Sequence, residues 1–248
     1  MRDSLAHESV HRHLKGRFGH PYAYVEETES TQLLLEGAPE GAVAATDLQT
    51  AGRGRYGRVW EAPGGTALLC SIVLHPPAGR DAPELTLVGA IAAAEAIEGA
   101  TTLAAQIKWP NDVMLNRRKV CGVLGELRGG IVTLGIGMNV NQTREQLPPQ
   151  AHTPAASLRT ITGATYDRAP LLGSLLFRLE RLYDQWRHAG LSEVFTEIGP
   201  RDFLRGRPVT VDGKTGVAVG IDREGRLELE VEHGERVAVE SGQVVYER

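Results

Sequence analysis

The amino-acid sequence predicts an α+β fold, a mixed β-sheet with helices packed on it, followed by a small β-barrel. Three features predict it. Apolar runs between residues 104 and 138 are separated by tight-turn residues, as in hairpin-linked strands. Stretches 84–98 and 168–188 carry apolar residues at helical spacing. After about Arg205 short alternating runs are broken by Asp212 and Gly213, Glu224 and Gly225, and His233 and Gly234. That change of texture places a domain boundary near Gly206 and divides the chain into 1–205 and 206–248.

Taken in order, residues 4–15 predict a short helix and 22–26 a strand. Ser30 can cap a helix that starts at Thr31, runs to about residue 36 and is ended by Gly37. A strand over 42–48 leads into a glycine- and arginine-rich loop at 50–58, then an apolar strand at 66–74. The alanine-rich stretch 84–98 reads as a buried helix. Strands follow at 104–108, 113–115 and 119–127, the last two joined at 116–118. Gly129 and Gly130 turn the chain into another strand at 131–138. Residues 145–154 are polar and proline-rich, hence a loop. A long amphipathic helix at 168–188 precedes a second at 192–198, stopped by Gly199 and Pro200.

Composition excludes several classes. A formal net charge of −4 argues against a general nucleic-acid binder, which carries a basic excess. Two cysteines, Cys70 and Cys121, make neither a disulfide framework nor a zinc site, and suit buried positions in a reducing cytosol. The charged, His-rich start has no signal-peptide core, and no apolar run reaches membrane-span length, so the expected compartment is the cytoplasm. Only Lys15, Lys108, Lys119 and Lys214 of the 27 basic residues are lysines, so a lysine here marks a place for a compact ammonium.

Four segments carry chemistry. In Gly52–Trp60 three glycines and three arginines share nine residues, a composition suited to a flexible loop that wraps an anion. The spacing of Gly52, Gly54 and Gly57 fits a dinucleotide fingerprint only superficially, since no clear helix follows. Gly213-Lys214-Thr215 is no phosphate loop, because position 208 is proline. Lys108-Trp-Pro-Asn-Asp112 ends a strand on a stiff turn, where Asp112 beside Lys108 and Asn111 can meet Mg²⁺ or an amine; a plain Asn–Asp turn with a structural tryptophan is the alternative. In Lys119–Glu126 strict alternation puts Lys119, Cys121 and Val123 on one face, and Val120 and Gly122 on the other. Lys119 is either a snorkelling edge residue or an anion ligand. Gly135-Ile-Gly-Met-Asn139 closes another strand with glycines where a ligand could lie, or with a bulge and a structural Asn.

In this order the segments resemble the biotin–protein ligase family: a Ser–Thr pair (Ser30, Thr31), a GRGR-x-GR-x-W loop, KWPND, a K-x-x-G strand and G-x-G-x-N. The match covers nearly the whole chain, about 25–245. One departure is Gln32, where the family usually has Asn. The resemblance implies a class II synthetase-like biotin–lipoate ligase fold with an SH3-like C-terminal barrel. It also implies an enzyme that uses Mg²⁺ and ATP to form biotinyl-5′-AMP, then transfers biotin to a lysine of a biotin carboxyl carrier protein. About twenty residues precede the catalytic part, too few for the DNA-binding domain of repressor-type members, so no DNA partner is expected.

By the same resemblance Ser30, Thr31, Gln49, Gly52, Arg53, Arg55, Lys119, Gly122, Leu124 and Gly135 bind biotin. Arg53, Arg55, Arg58, Trp60, Lys108, Asn111, Asp112, Lys119 and Asn139 face ATP or the adenylate. Lys119, Arg55 and Asp112 are the expected catalytic residues, with Asp112 as metal ligand and amine base. The rivals are a lipoate or octanoate ligase, a non-catalytic binding module and an Arg–Gly RNA binder. Exposed sheet edges could pair two chains into a homodimer.

Overall fold

A computed structural model describes residues 3–149 and 153–246. Residues 1–2 and 247–248, at the outer ends of the two expected domains, and 150–152 of the expected 145–154 loop lie outside the described residues.

The larger sheet is built from β1 (Tyr22–Thr28), β2 (Val43–Gln49), β3 (Ala67–Leu74), β4 (Ala105–Lys108), β5 (Asp112–Leu115), β6 (Arg118–Arg128) and β7 (Ile131–Asn139). Their spatial order is β1-β2-β3-β7-β6-β5-β4. Only β1 and β2 pair in parallel; every other neighbour is antiparallel, so the sheet is mixed as expected. The helices are α1 (His7–Val10), α2 (Leu85–Thr101), α3 (Leu158–Thr162), α4 (Arg168–Ala189) and α5 (Phe195–Ile198).

Alternation in β7 determines which face the helices cover. Val132, Leu134, Ile136 and Met138 are buried, while Thr133, Gly135 and Gly137 on the other face are only half-buried. Helix α2 packs on the apolar face: a Cβ at its Gly89 would meet Leu134 and Val123 at 3.0 Å. It is apolar almost all round because it lies between the sheet and α4. Its buried Glu95 is held by Arg178 and Arg181 of α4. Helix α2 does not cover the opposite, glycine-lined face of the sheet.

Three local expectations change. The helix predicted over 4–15 is only α1 plus a 3-10 turn, His11–His13, because Leu5 and Val10 supply too short an apolar stripe to bury more turns. The helix predicted from Thr31 is a single 3-10 turn, Leu33–Leu35. There the Thr31 amide donates to the Gln49 side chain of β2, so a tertiary bond replaces the helical one. The helix over 192–198 is split into a 3-10 turn, Gly190–Glu193, and α5. Helix α3 was not predicted; its signal is the capping box of Ser157 and Thr160.

After residue 206 come β8 (Pro208–Val211), β9 (Lys214–Ile221), β10 (Leu227–Glu230), β11 (Arg236–Val239) and β12 (Val244–Tyr246). They form an antiparallel sheet in the order β11-β10-β9-β8-β12, consistent with a small SH3-like domain. Asp212 and Gly213, both with positive φ, make the β8–β9 hairpin turn. Buried Trp109 ties this sheet to the larger one by donating its indole N–H to the Gly225 carbonyl at 2.8 Å.

Candidate active site

Strict alternation fails at Lys119, and the failure creates the site. Between β5 and β6 the register shifts: Val113 faces Cys121, but Met114 faces Lys119, leaving Val120 as an extra residue. This β-bulge turns Lys119 onto the face of Gly122 rather than that of Cys121. Its ammonium lies 3.2 Å from where a Gly122 Cβ would be. Cys121 points the other way, fully buried, and burial pushes its thiol pKa up.

Lys119 Nζ is 2.6 Å from Asp112 Oδ1, the first residue of β5. It also sits over the Trp60 ring, 5.6 Å from its centre. The indole lies flat on the sheet, and only glycines permit that. A Cβ at Gly137 would come within 2.7 Å of the ring and one at Gly122 within 3.1 Å. Sequence reading assigned these glycines to a ligand chain; in the structure Trp60 covers two of them. Gly135 faces the amide of Gln32, whose Nε2 donates to the carbonyls of Leu124 and Thr133. The extra methylene relative to Asn lets Gln32 reach across β6 and β7.

The neutral end of the site gathers hydroxyls and amides. Gln49 Oε1 accepts from the Thr31 amide at 2.9 Å and the Thr31 hydroxyl at 3.1 Å. Thr31 Oγ1 also meets Ser71 Oγ at 2.7 Å. Ser71 was missed in the sequence, where it looks like one small residue in an apolar strand.

Lys108 is 6% exposed yet has no carboxylate within ion-pair distance among the described residues. It donates to Thr153 Oγ1 at 3.3 Å and lies 5.3 Å from the centre of the Tyr246 ring in β12. Burial lowers its pKa, opposed by Asp112 and reinforced by Lys119 and Arg58. Asn111 donates to the Val123 carbonyl, and Asn139 holds Ala156 and Gln142, so both amides brace the walls.

The loop expected to be flexible is a compact hairpin. Trp60 N donates to Gly52 O, Gly54 N donates to Arg58 O, and Arg53 bridges Val59. Tyr56 at its tip has φ 59°. A Cβ at Gly52 would lie 2.4 Å from Trp60 O, so that glycine is required by the hairpin's base. Arg53 pairs with Glu126 of β6 at 3.3 Å, and Arg55 bonds the Tyr56 hydroxyl.

These groups surround one cavity of about 470 Å³. Every predicted site residue lines it except Gly52, which borders an adjoining cleft under the hairpin. Gln243 and Val244 of the C-terminal sheet line it as well. No cluster of three His, Cys, Asp or Glu side chains among the described residues is arranged to hold a metal ion. No helix among them is long and apolar enough to cross a membrane.

Residues 23–142 match the biotin/lipoate A/B protein ligase family, and residues 206–246 match the biotin protein ligase C-terminal domain. A biotin–[acetyl-CoA-carboxylase] ligase of Mycobacterium tuberculosis is 34% identical over 222 residues, 84% of this chain and 80% of that protein. The bifunctional ligase/repressor BirA of Bacillus spizizenii is 35% identical over 224 residues, 85% of this chain and 68% of that one. A biotin protein ligase from Aquifex aeolicus, solved in complex with biotin and ATP, superposes with a TM-score of 0.83 at 31% identity, covering 92% of this chain and 98% of that one. With matching sequence and fold, the chain belongs to the biotin protein ligase family of enzymes.

Proposed function

We propose that the chain activates biotin with Mg-ATP, releasing pyrophosphate, and passes the biotinyl group to a lysine of a biotin carboxyl carrier protein. In this reading residues 1–205 form the catalytic domain and 206–248 an appended domain that lends a wall to the cavity. The observation that carries it is the convergence of Lys119, Asp112 and the arginine hairpin on one cavity whose far end is neutral and hydrogen-bonding.

A carboxylate lacks a leaving group, so it must first be joined to phosphate. A biotin carboxylate oxygen attacks the α-phosphorus, and the bond to the β,γ-pyrophosphate breaks. Both reactants are anions, so fixed positive charge is the main need. Lys119 supplies it where carboxylate and α-phosphate meet; Lys108, Arg53, Arg55 and Arg58 surround the rest. Asp112 and Glu61, the carboxylates that line the cavity, would be the residues to hold a Mg²⁺, whose charge would offset that of the phosphates. Trp60 offers a flat surface for adenine.

When Lys119 turns to the adenylate, Asp112 loses its counter-ion and becomes free to accept a proton. The carrier amine then attacks the acyl carbon, the bond to AMP breaks, and Asp112 takes the amine proton. The test is mass spectrometry after mixing the protein with biotin, Mg-ATP and no acceptor. Biotinyl-AMP is expected; its absence from active, folded protein overturns the reading. Adding lipoate in competition separates the two branches of the wider family.

A further inference from the structure

We propose that Ser71 is a positioning residue that sets the hydrogen-bond polarity of the cavity's neutral end, and thereby its preference for a ring that presents a carbonyl. This rests on the biotin reading and deepens it.

The protons can be assigned from chemistry. The Thr31 backbone N–H can only donate, so the Gln49 atom 2.9 Å away is the carbonyl oxygen. Gln49 Nε2 therefore points away from Thr31. It has no hydrogen-bond acceptor among the described residues, yet it is not one of the buried unpartnered atoms, so it opens onto space. A glycine at 52 leaves that space clear: a Cβ there would be 2.9 Å from Nε2.

Thr31 Oγ1 has one proton and two close oxygens. Gln49 Oε1 can only accept, so the 3.1 Å contact is attractive only if Thr31 donates to it. The 2.7 Å contact with Ser71 then takes its proton from Ser71. The chain runs Ser71 to Thr31 to Gln49, with each hydroxyl proton spent inside it. Ser71 is 1% exposed on β3, so it acts through Thr31. Nearby, Ser30 Oγ accepts weakly from the Gln32 amide at 3.4 Å and keeps its own proton. The end thus presents two free donors, Gln49 Nε2 and the Ser30 hydroxyl, while Ser71 takes one of the two Thr31 lone pairs. A ring carbonyl is complementary to those two donors; a ring that puts an N–H in its place opposes them.

Removing the Ser71 hydroxyl leaves a buried Thr31 lone pair in need of a donor. An N–H in place of the ring carbonyl can satisfy it, whereas the carbonyl oxygen cannot; the two ring N–H groups are common to both probes. The probes are biotin and 2-iminobiotin, in which C=NH₂⁺ replaces the ureido C=O. Their affinities for the wild type, Ser71→Ala and Ser71→Thr are measured by calorimetry, with thermal unfolding to establish that each variant folds. The wild type is expected to prefer biotin at least tenfold. Ser71→Ala is expected to cut that ratio about fivefold, and Ser71→Thr to restore it. A ratio unchanged in folded Ser71→Ala, or equal weakening of both ligands, overturns the proposal. If Ser71→Ala does not fold, Ser71→Cys, isosteric with a weaker donor, takes its place and is read the same way. Wild-type protein that binds neither probe instead refutes the biotin reading.

Discussion

The two ends of the cavity are built on opposite terms. At the neutral end Thr31, Ser71 and Gln49 hydrogen-bond one another, and Ser30, Thr31 and Ser71 are buried. At the charged end Lys119 is held by Asp112, Arg53 by Glu126, and Lys108 only by a threonine hydroxyl and an aromatic face. Neutral hydrogen bonds lock a geometry before the ligand arrives. On the proposed function, Lys119 and Arg53 are parked on carboxylates that a phosphate or carboxylate of the ligand replaces. Recognition, on that same function, is preorganised at one end, while catalysis at the other is conditional on ligand.

The sharpest way to separate the ends is Lys119→Ala. Removing a cation at the point of charge development is expected to lower adenylate formation by about 10²- to 10³-fold. Biotin affinity should change little, since the neutral end is untouched. Biotin-dependent exchange between pyrophosphate and ATP, beside calorimetry with biotin alone, reads both. Unimpaired exchange would remove Lys119 from the chemistry. Next in size is Arg55→Gly, which takes a guanidinium from the hairpin. Losing a charge-assisted bond corresponds to roughly tenfold weaker adenylate retention. Biotin appearing on an unrelated bystander protein, at about that increase, measures escape; no increase assigns Arg55 a structural role.

The same contrast explains what the sequence disclosed. The lysines at the charged end were legible because their type is uncommon in this chain: two of its four lysines line the cavity. The α+β class was legible from periodicity. Ser71 was not, because a buried serine in an apolar strand has no local signal until β2, β3 and the turn after β1 are brought together. Nor was the face of Lys119, since a one-residue bulge breaks the alternation between Lys119 and Cys121. The 3-10 turn at Leu33–Leu35 replaced a predicted helix for a related reason: a long-range bond to Gln49 overrode local capping.

Lys108 gives a stability prediction. Among the described residues its buried ammonium has no paired carboxylate, and its pKa is lowered from 10.5. Between that lowered value and 10.5 the unfolded chain binds more protons than the folded one. Stability therefore rises as pH climbs through the folded pKa. Lys108→Met keeps the stem and deletes the charge. It is expected to stabilise the fold at neutral pH by on the order of 1 kcal/mol, flatten that alkaline rise and impair ATP use. Thermal midpoints across alkaline pH test it; a less stable Lys108→Met protein would show the ammonium to be well solvated or paired.

The smallest expected effect belongs to Glu126→Gln, which tests whether charges at this end are parked. The Arg53–Glu126 pair is partly exposed, with side chains 44% and 22% accessible, so solvent screens it and its worth is at most about 1 kcal/mol. Neutralising Glu126 releases Arg53, and the hairpin then rests on its backbone bonds and on Trp60. Trypsin cleavage after Arg53, Arg55 or Arg58 reports the opened population when reclosing is fast. Cleavage in the free protein is expected to quicken about threefold in Glu126→Gln. With biotin and Mg-ATP bound the difference should vanish, because ligand anions now hold Arg53 in both proteins. A difference that persists with ligand would mean that Arg53 stays on Glu126 throughout. The pair would then be a fixed brace of the hairpin, and the charged end would be more preorganised than its exposed ion pair implies.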